Sequence, residues 1–563
     1  GRLAKMNCNK AVRDYITKMI TDTPGMKVML LDAETTPIVS MVYAQSEILQ
    51  KEVYLLERIE QPAREVMTHL KAIVFVRPTA ESIDAVVKEL KRPKYGQYDI
   101  YLSNILQPSQ LERLAEADEH EVVREVQEFF ADYLAIGPHL TTFNLPSCVG
   151  GDNADPRRWD RDAFKRCHEG LLAQLLSLKK KPVVRYQESS PQCKKLADEL
   201  CSSMLRESSL FDFRVSTDVP AILLIIDRRD DPITPLLNQW TYQAMVHERL
   251  GIKNNRVDMS KVEGIAPEMH QIVLSSEQDE FYRKKMYGDF GEIGDAIKLL
   301  VQEFQMKSKK NEKLDTIEDM KAFVENYPQF RAMSGSVSKH VAVVGELSRI
   351  ADKCDLFTLG ECEQDLVVDG KHDDMVLSIK SILSSKKSKE HDAERLLFLY
   401  ALRYGRTKDL EGFLDILEAD GVKYSREKVS RLLDYAGQKA TGRSSDLFGA
   451  KGLGGMIKKM KGSLKGVVNI FTQHTPLLAQ TLEQLAKGKL KEAAFPFVER
   501  PYHDKPQDVI VFMVGGCTYA ESRVVAQFNE NNPTMRVILG GSAVHNSESF
   551  LEEMKLATAP RKR

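Results

Sequence analysis

The sequence lacks the paired cysteines that staple small domains. Its eight cysteines stand at positions 8, 148, 167, 193, 201, 354, 362 and 517, with no C-x-x-C among them. Disulfide-dense and zinc-stapled domains use tighter, paired spacing, so free thiols in a reducing compartment are expected. Long apolar runs are missing too. No stretch approaches the roughly 18 apolar residues that a spanning helix needs. The richest runs, 221–226 and 509–514, are short, β-branched and flanked by charge or glycine, and they read as buried strands. Neither sign of charge is in surplus, since 80 Lys plus Arg face 81 Asp plus Glu. A nucleic-acid binder usually carries a basic excess, so that class is disfavoured. These absences point to a cytosolic protein whose membrane contact is at most peripheral.

What is present is the composition of a folded globular chain, 42% hydrophobic and 29% charged. At 563 residues it is too long for one hydrophobic core, so several domains are expected. The residues 1–5 ahead of Met6 look like a cloning remnant and are set aside. From there to about residue 145, strand candidates at 27–32, 53–56, 72–76 and 98–102 alternate with helical patterns at 80–91 and 109–134. Such alternation predicts a parallel sheet with helices on both faces. The same pattern returns at 221–227, followed by a helix over 237–250. It returns again at 509–514, with a helix around 519–528 and a strand at 536–539. This terminal unit is too small to bury a sheet alone, so it is expected to dock on the strands near 140–226.

The stretch between, about 241–474, is mostly helical. Ile293, Ile297, Leu300, Val301 and Phe304 recur at helical spacing, as do Met320, Phe323, Val324 and Tyr327. A segment at 441–466 is rich in glycine, serine and lysine, holds one acid, Asp446, and reads as a flexible loop. Within it Leu453, Met456, Ile457, Met460, Leu464 and Val467 share a helical face, with Lys458, Lys459, Lys461 and Lys465 largely elsewhere. A basic amphipathic helix of that kind suits an acidic membrane surface, which makes a peripheral tether one alternative function.

Catalytic patterns fail on spacing. His-Glu pairs at 120–121, 168–169 and 247–248 have no second histidine one turn on, as a zinc-binding helix requires. The glycine cluster at 449–455 lacks the lysine of a phosphate loop, and 540–544 lacks the closing glycine of a G-x-S-x-G elbow. Two places stand out. At 227–235, Asp227, Asp230 and Asp231 follow a buried strand, where three carboxylates suit a metal-dependent phosphohydrolase. The interleaved Arg228 and Arg229 favour a charge-paired corner instead. At 514–516, Val-Gly-Gly fits either an anion site or a tight strand-to-helix turn. No catalytic residue, metal or cofactor is assigned.

The run 225–248, Ile-Ile-Asp-Arg-Arg-Asp-Asp-Pro-Ile-Thr-Pro-Leu-Leu-Asn-Gln-Trp-Thr-Tyr-Gln-Ala-Met-Val-His-Glu, resembles the signature of the SM (Sec/Munc) family of SNARE regulators. With the runs 515–519 and 539–553, it is most similar to the branch serving trans-Golgi, endosomal and vacuolar transport. The resemblance implies an α/β protein built as a three-domain arch. Domain 1 spans 6–137. Domain 2 is discontinuous, 138–240 and 475–563. Domain 3 is a mainly helical insert, 241–474, with a hairpin at about 293–350 and the basic loop at 441–468. The implied partners are a Qa-SNARE syntaxin, a vesicle SNARE and the assembled SNARE complex, with no nucleic acid and membrane association through the SNAREs.

The same resemblance assigns residues. Leu111, Val126 and Glu128, on helices after Pro108, match the pocket for a syntaxin N-terminal peptide. Leu111 and Val126 suit an apolar side chain, and Glu128 a peptide amide or a basic residue. Asp32, Glu57 and Arg58 lie where relatives contact syntaxin helices in a central cavity. An arginine that some relatives place shortly after Asp32 is replaced by Pro37. Pro328 resembles the hinge of the hairpin, and Val341 a contact to the vesicle SNARE.

Overall fold

The computed structural model describes residues 6–150, 155–213, 219–311, 335–336, 338–368, 370–437, 471 and 473–558. Its first sheet is parallel throughout, in the order Val53–Arg58, Lys27–Leu31, Met67–Val76, Tyr95–Leu102, Val123–Glu128. Side chains of a strand alternate between faces, so one apolar run feeds two cores. Met29, Leu31, Ile73 and Phe75 join Val12 and Ile16 of helix Cys8–Asp22 in one cluster. Val28, Leu30, Val74 and Val76 join Ile83, Val86 and Leu90 of helix Ala80–Lys91 in another. That helix starts where Thr79 accepts a hydrogen bond from the Ser82 amide, 3.1 Å away. Each fully buried Ile, Val or Leu contributes about 1.5–3 kcal/mol.

The second sheet is assembled from three separated stretches of chain. Its order is Val183–Tyr186, Ile222–Asp227, Asp508–Val514, Arg536–Gly541, Leu140–Thr142, Leu134–Gly137, parallel except for the last pair. The two C-terminal strands lie in its middle, because six consecutive residues of Ile222–Asp227 pair with 509–514. Between 241 and 474 helices dominate, among them Phe290–Asn311, Leu356–Val368, His372–Ser385, Glu390–Tyr404, Lys408–Ala419 and Ser425–Tyr435. All eight cysteines are buried and unpaired, as their spacing suggests. No helix among the described residues is long and apolar enough to cross a membrane.

Two expectations need correction. The helix expected over 109–134 is Pro108–Ala117, after which the chain turns back as the edge strand Val123–Glu128. Asp118 closes that turn by accepting hydrogen bonds from the Val122 and Val123 amides at 2.9 and 3.1 Å. The helix expected over 237–250 is Tyr242–Arg249. Residues 238–241 stay irregular because distant partners claim their backbone: the Asn238 amide donates to Glu363 and the Trp240 carbonyl accepts from Phe290, both at 2.8 Å. At 515–516 the tight turn is what forms. Gly515 and Gly516 hold φ of +89° and +86°, and a Cβ on Gly515 would stand 2.8 Å from that of Arg228. The basic loop expected at 441–468 and the hinge Pro328 lie outside the described residues.

Candidate functional site

The outer face of the first sheet is built by helix Pro108–Ala117 and the edge strand Val123–Glu128. Proline fits the first helical turn, where its missing N–H is not needed. The Gln107 amide donates to Gln110 Oε1 at 3.1 Å, and Gln110 Nε2 reaches the Pro78 carbonyl at 3.0 Å, tying the helix to the loop beneath it. Leu114 and Ala117 face inward, 2% and 1% exposed, whereas Leu111 is 46% exposed. Val126 is half-buried against the core that holds Leu114. Glu128 is half-buried as well, and one of its carboxylate oxygens accepts from the Leu106 amide at 2.7 Å. Burial raises its pKa, with that hydrogen bond pulling the other way. Leu111 thus lies on a helix, and Val126 and Glu128 lie on the strand that follows it rather than on a second helix.

The second group divides. Asp32 is only 1% exposed. One of its oxygens accepts from the Thr35 amide and hydroxyl and the Glu34 amide at 2.7, 2.9 and 3.0 Å. The other accepts from the Ser82 hydroxyl and the Arg77 amide at 2.7 and 2.8 Å. A carboxylate so enclosed knots together the turns after two strands and presents nothing to a partner. Glu57 is half-buried and accepts from the Tyr95 hydroxyl at 3.3 Å. Arg58 is exposed and paired with Glu60 at 3.1 Å. Val341 is 41% exposed on a helix anchored by its neighbour. His340 is fully buried, with Nε2 2.9 Å from Asp279 and Nδ1 2.8 Å from the Tyr242 hydroxyl.

The motif segment 225–248 is buried, and its charges are paired as the interleaved arginines suggest. Arg228, 1% exposed, donates from Nη1 to both oxygens of Glu521 at 2.8 Å and from Nη2 to the Asp231 carbonyl at 2.7 Å. Arg229 pairs with Asp227 at 3.0 Å. Asp231 accepts from the Thr234 hydroxyl at 2.7 Å and the Leu477 amide at 3.1 Å. A second lattice holds the helical insert. Arg395, wholly buried, reaches the Leu236 carbonyl at 2.6 Å, Asp392 at 2.8 Å and Glu363 at 3.1 Å. Arg249 joins Asp392 at 2.9 Å and the Asn238 amide oxygen at 2.6 Å. Sequence reasoning missed Glu521, Glu363 and Asp392, which no local pattern connects to the motif. Among the described residues no group of three His, Cys, Asp or Glu is arranged to hold a metal ion.

A model of the Sec1 family matches residues 27–553. The chain is 52% identical to the vacuolar protein sorting-associated protein 45 of Homo sapiens, over 98% of this chain and 96% of that protein. It is 43% identical to the corresponding homolog of Arabidopsis thaliana, over 97% of each. Among solved structures it is similar to the SM protein Vps45 in complex with the Qa SNARE Tlg2, with a TM-score of 0.91 and 44% identity over 98% of both chains.

Proposed function

The chain belongs to the Sec1 family, and from that premise we propose that it binds a Qa-SNARE syntaxin and templates SNARE assembly for vesicle fusion in trans-Golgi, endosomal and vacuolar transport. The observation that carries this reading is the full-length likeness to a protein solved with a Qa SNARE bound. The exposure of Leu111 supports it, because an exposed leucine, with a half-buried valine and glutamate on the following strand, suits a short peptide with one apolar anchor. In this account Leu111, Val126 and Glu128 receive the syntaxin N-terminal peptide. Glu57 and Arg58 meet its helical part, with Asp32 shaping the turn behind them. Val341 contacts the vesicle SNARE, on a hairpin hinged at Pro328.

The domain division proposed is 6–137, then 138–240 with 475–563, then the insert 241–474. The assembly of the second sheet from distant stretches supports it. The chain acts as a binder rather than an enzyme, cytoplasmic and held peripherally at its membranes through the SNAREs. Its mechanism is entropic. Isolated SNARE helices are disordered, and pairing them costs conformational entropy before contacts repay it. A rigid surface that holds a syntaxin and then a vesicle SNARE in register lowers that barrier. The test is the rate of SNARE-complex formation from purified components with and without this protein. Acceleration that saturates with protein concentration supports templating; an unchanged or slowed rate sinks it.

A further inference from the structure

A buried charge is costly unless an opposite charge stands beside it. Among the described residues five arginines are buried: Arg64, Arg185, Arg228, Arg229 and Arg395. Four of them have a carboxylate partner: Glu89 lies 2.6 Å from Arg64, Glu521 2.8 Å from Arg228, Asp227 3.0 Å from Arg229 and Asp392 2.8 Å from Arg395. Arg185, 5% exposed, is the exception and forms no ion pair among the described residues. Its Nε and Nη2 donate instead to the carbonyls of Phe495 and Leu490, at 2.9 and 3.0 Å, and its guanidinium lies 4.5 Å over the Phe497 ring. Carbonyl dipoles orient the cation without neutralising it. Burial pulls all five pKa values down. Carboxylates outweigh it at the other four, while at Arg185 the pKa stays lowered, with Glu492 only partly opposing.

Arg185 belongs to Val183–Tyr186, an edge strand of the second sheet, over which the chain returns at 494–498. The Tyr186, Glu188 and Val498 amides donate to the Pro496, Ala494 and Val184 carbonyls at 3.2, 3.0 and 3.0 Å. The end of helix Leu477–Ala486, the turn after it and the segment 502–506 wall a cavity of about 220 Å³ that Arg185 lines. Arg185 Nη1 has no hydrogen-bond partner among the described residues and, unlike Nη1 of Arg64, is not sealed from solvent. Leu485, Leu490 and Phe497 supply apolar wall. The other charges around the cavity answer one another. Glu492 faces His503 at 3.6 Å, Lys487 pairs with Glu483, and Asp504 adjoins Lys505 in the chain. One cation is left over, which suits a carboxylate better than a phosphate of higher charge.

We infer that this cavity binds an aliphatic monocarboxylate, whose oxygens supply the counter-ion that Arg185 lacks and whose short stem lies on Leu485, Leu490 and Phe497. The cavity shares no residue with the proposed SNARE contacts, so the inference goes beyond that reading and does not depend on it.

Methyl 13C–1H spectra of the full protein report on the site through Ile222, which lines the cavity and is assigned with Ile222→Val. The probes are butyrate, a free acid, and N-acetyl-glutamate α-amide, which carries a similar stem and carboxylate on a piece of chain. Butyramide, matched in shape and uncharged, is the control. Saturable movement of the Ile222 signal is expected with the acids, in the millimolar range for such small ligands. Butyramide should bind at least tenfold more weakly, the loss of a charge-assisted hydrogen bond. Arg185→Met, which keeps an unbranched stem and removes the charge, should abolish the preference for butyrate over butyramide. Tighter binding of butyrate identifies a free acid as the occupant, and tighter binding of the glutamate probe an acidic residue of a partner chain. An Ile222 signal that neither acid moves in the wild-type protein overturns the proposal, as does butyramide binding as tightly as butyrate.

Discussion

Around Arg395 and Arg228 the charges are buried and matched across long stretches of chain, whereas the face around Leu111 is half-open and made by neighbouring elements. The first region holds most of the motif by which the chain is assigned to its family, yet those residues point inward and meet one another. The second has no conspicuous motif at all, yet it offers the exposed apolar anchor that a binding surface requires. On the proposed reading, the residues that mark the family in sequence are not the ones that meet its partners. Buried ion pairs fix a geometry because breaking one strands a charge. Exposed apolar side chains cost little to change and set affinity.

Breaking the buried side should give the largest effect. Arg395→Ala takes the cation from Glu363, leaves Asp392 with Arg249 alone, and should lose about 3–5 kcal/mol in denaturant unfolding. Next comes the Arg228–Glu521 pair. Arg228→Met alone should cost about 3 kcal/mol, while adding Glu521→Leu should recover most of it, since an apolar pair replaces a buried ion pair at little net cost. A double variant as unstable as the single one would mean that the hub does more than balance charge.

A smaller effect should appear with pH. Burial pushes the Glu363 carboxyl up to about 7, against the pull of Arg395. An acid whose pKa is raised on folding contributes stability that is present at low pH and lost as pH rises through the folded value. Relative to Glu363→Gln, the wild type should thus lose on the order of 2 kcal/mol between about pH 4.5 and 7. A flat difference across that window would place the proton elsewhere in the lattice. Smallest of all, Leu111→Arg should leave unfolding within about 0.5 kcal/mol of the wild type, as for most surface substitutions.

The same contrast explains what was legible in the sequence. Strands such as 72–76 and 509–514 are apolar over several consecutive residues, and helix Ala80–Lys91 carries both cap and periodicity, so local pattern sufficed. The strand Val123–Glu128 did not announce itself. Its valines and charges fit a helix nearly as well, and its state is decided by pairing with Tyr95–Leu102. Arg228 and Arg229 announced a paired corner, but the partner Glu521 lies 293 residues away and Glu363 lies 125 residues from Asn238. Chain-distant pairing leaves no mark on local spacing. Leu111 was reached through family resemblance, because nothing in its neighbourhood separates an exposed anchor from an ordinary helix leucine.

The central claim, that the Leu111 face binds while the buried hub only holds shape, rests on one titration. Calorimetry of the wild type and Leu111→Arg with the N-terminal peptide of the Qa-SNARE syntaxin measures it directly. The account predicts saturable binding by the wild type and at least a tenfold loss in the variant, with unfolding stability unchanged. Equal affinity in the two proteins would contradict it and move the peptide site off this face.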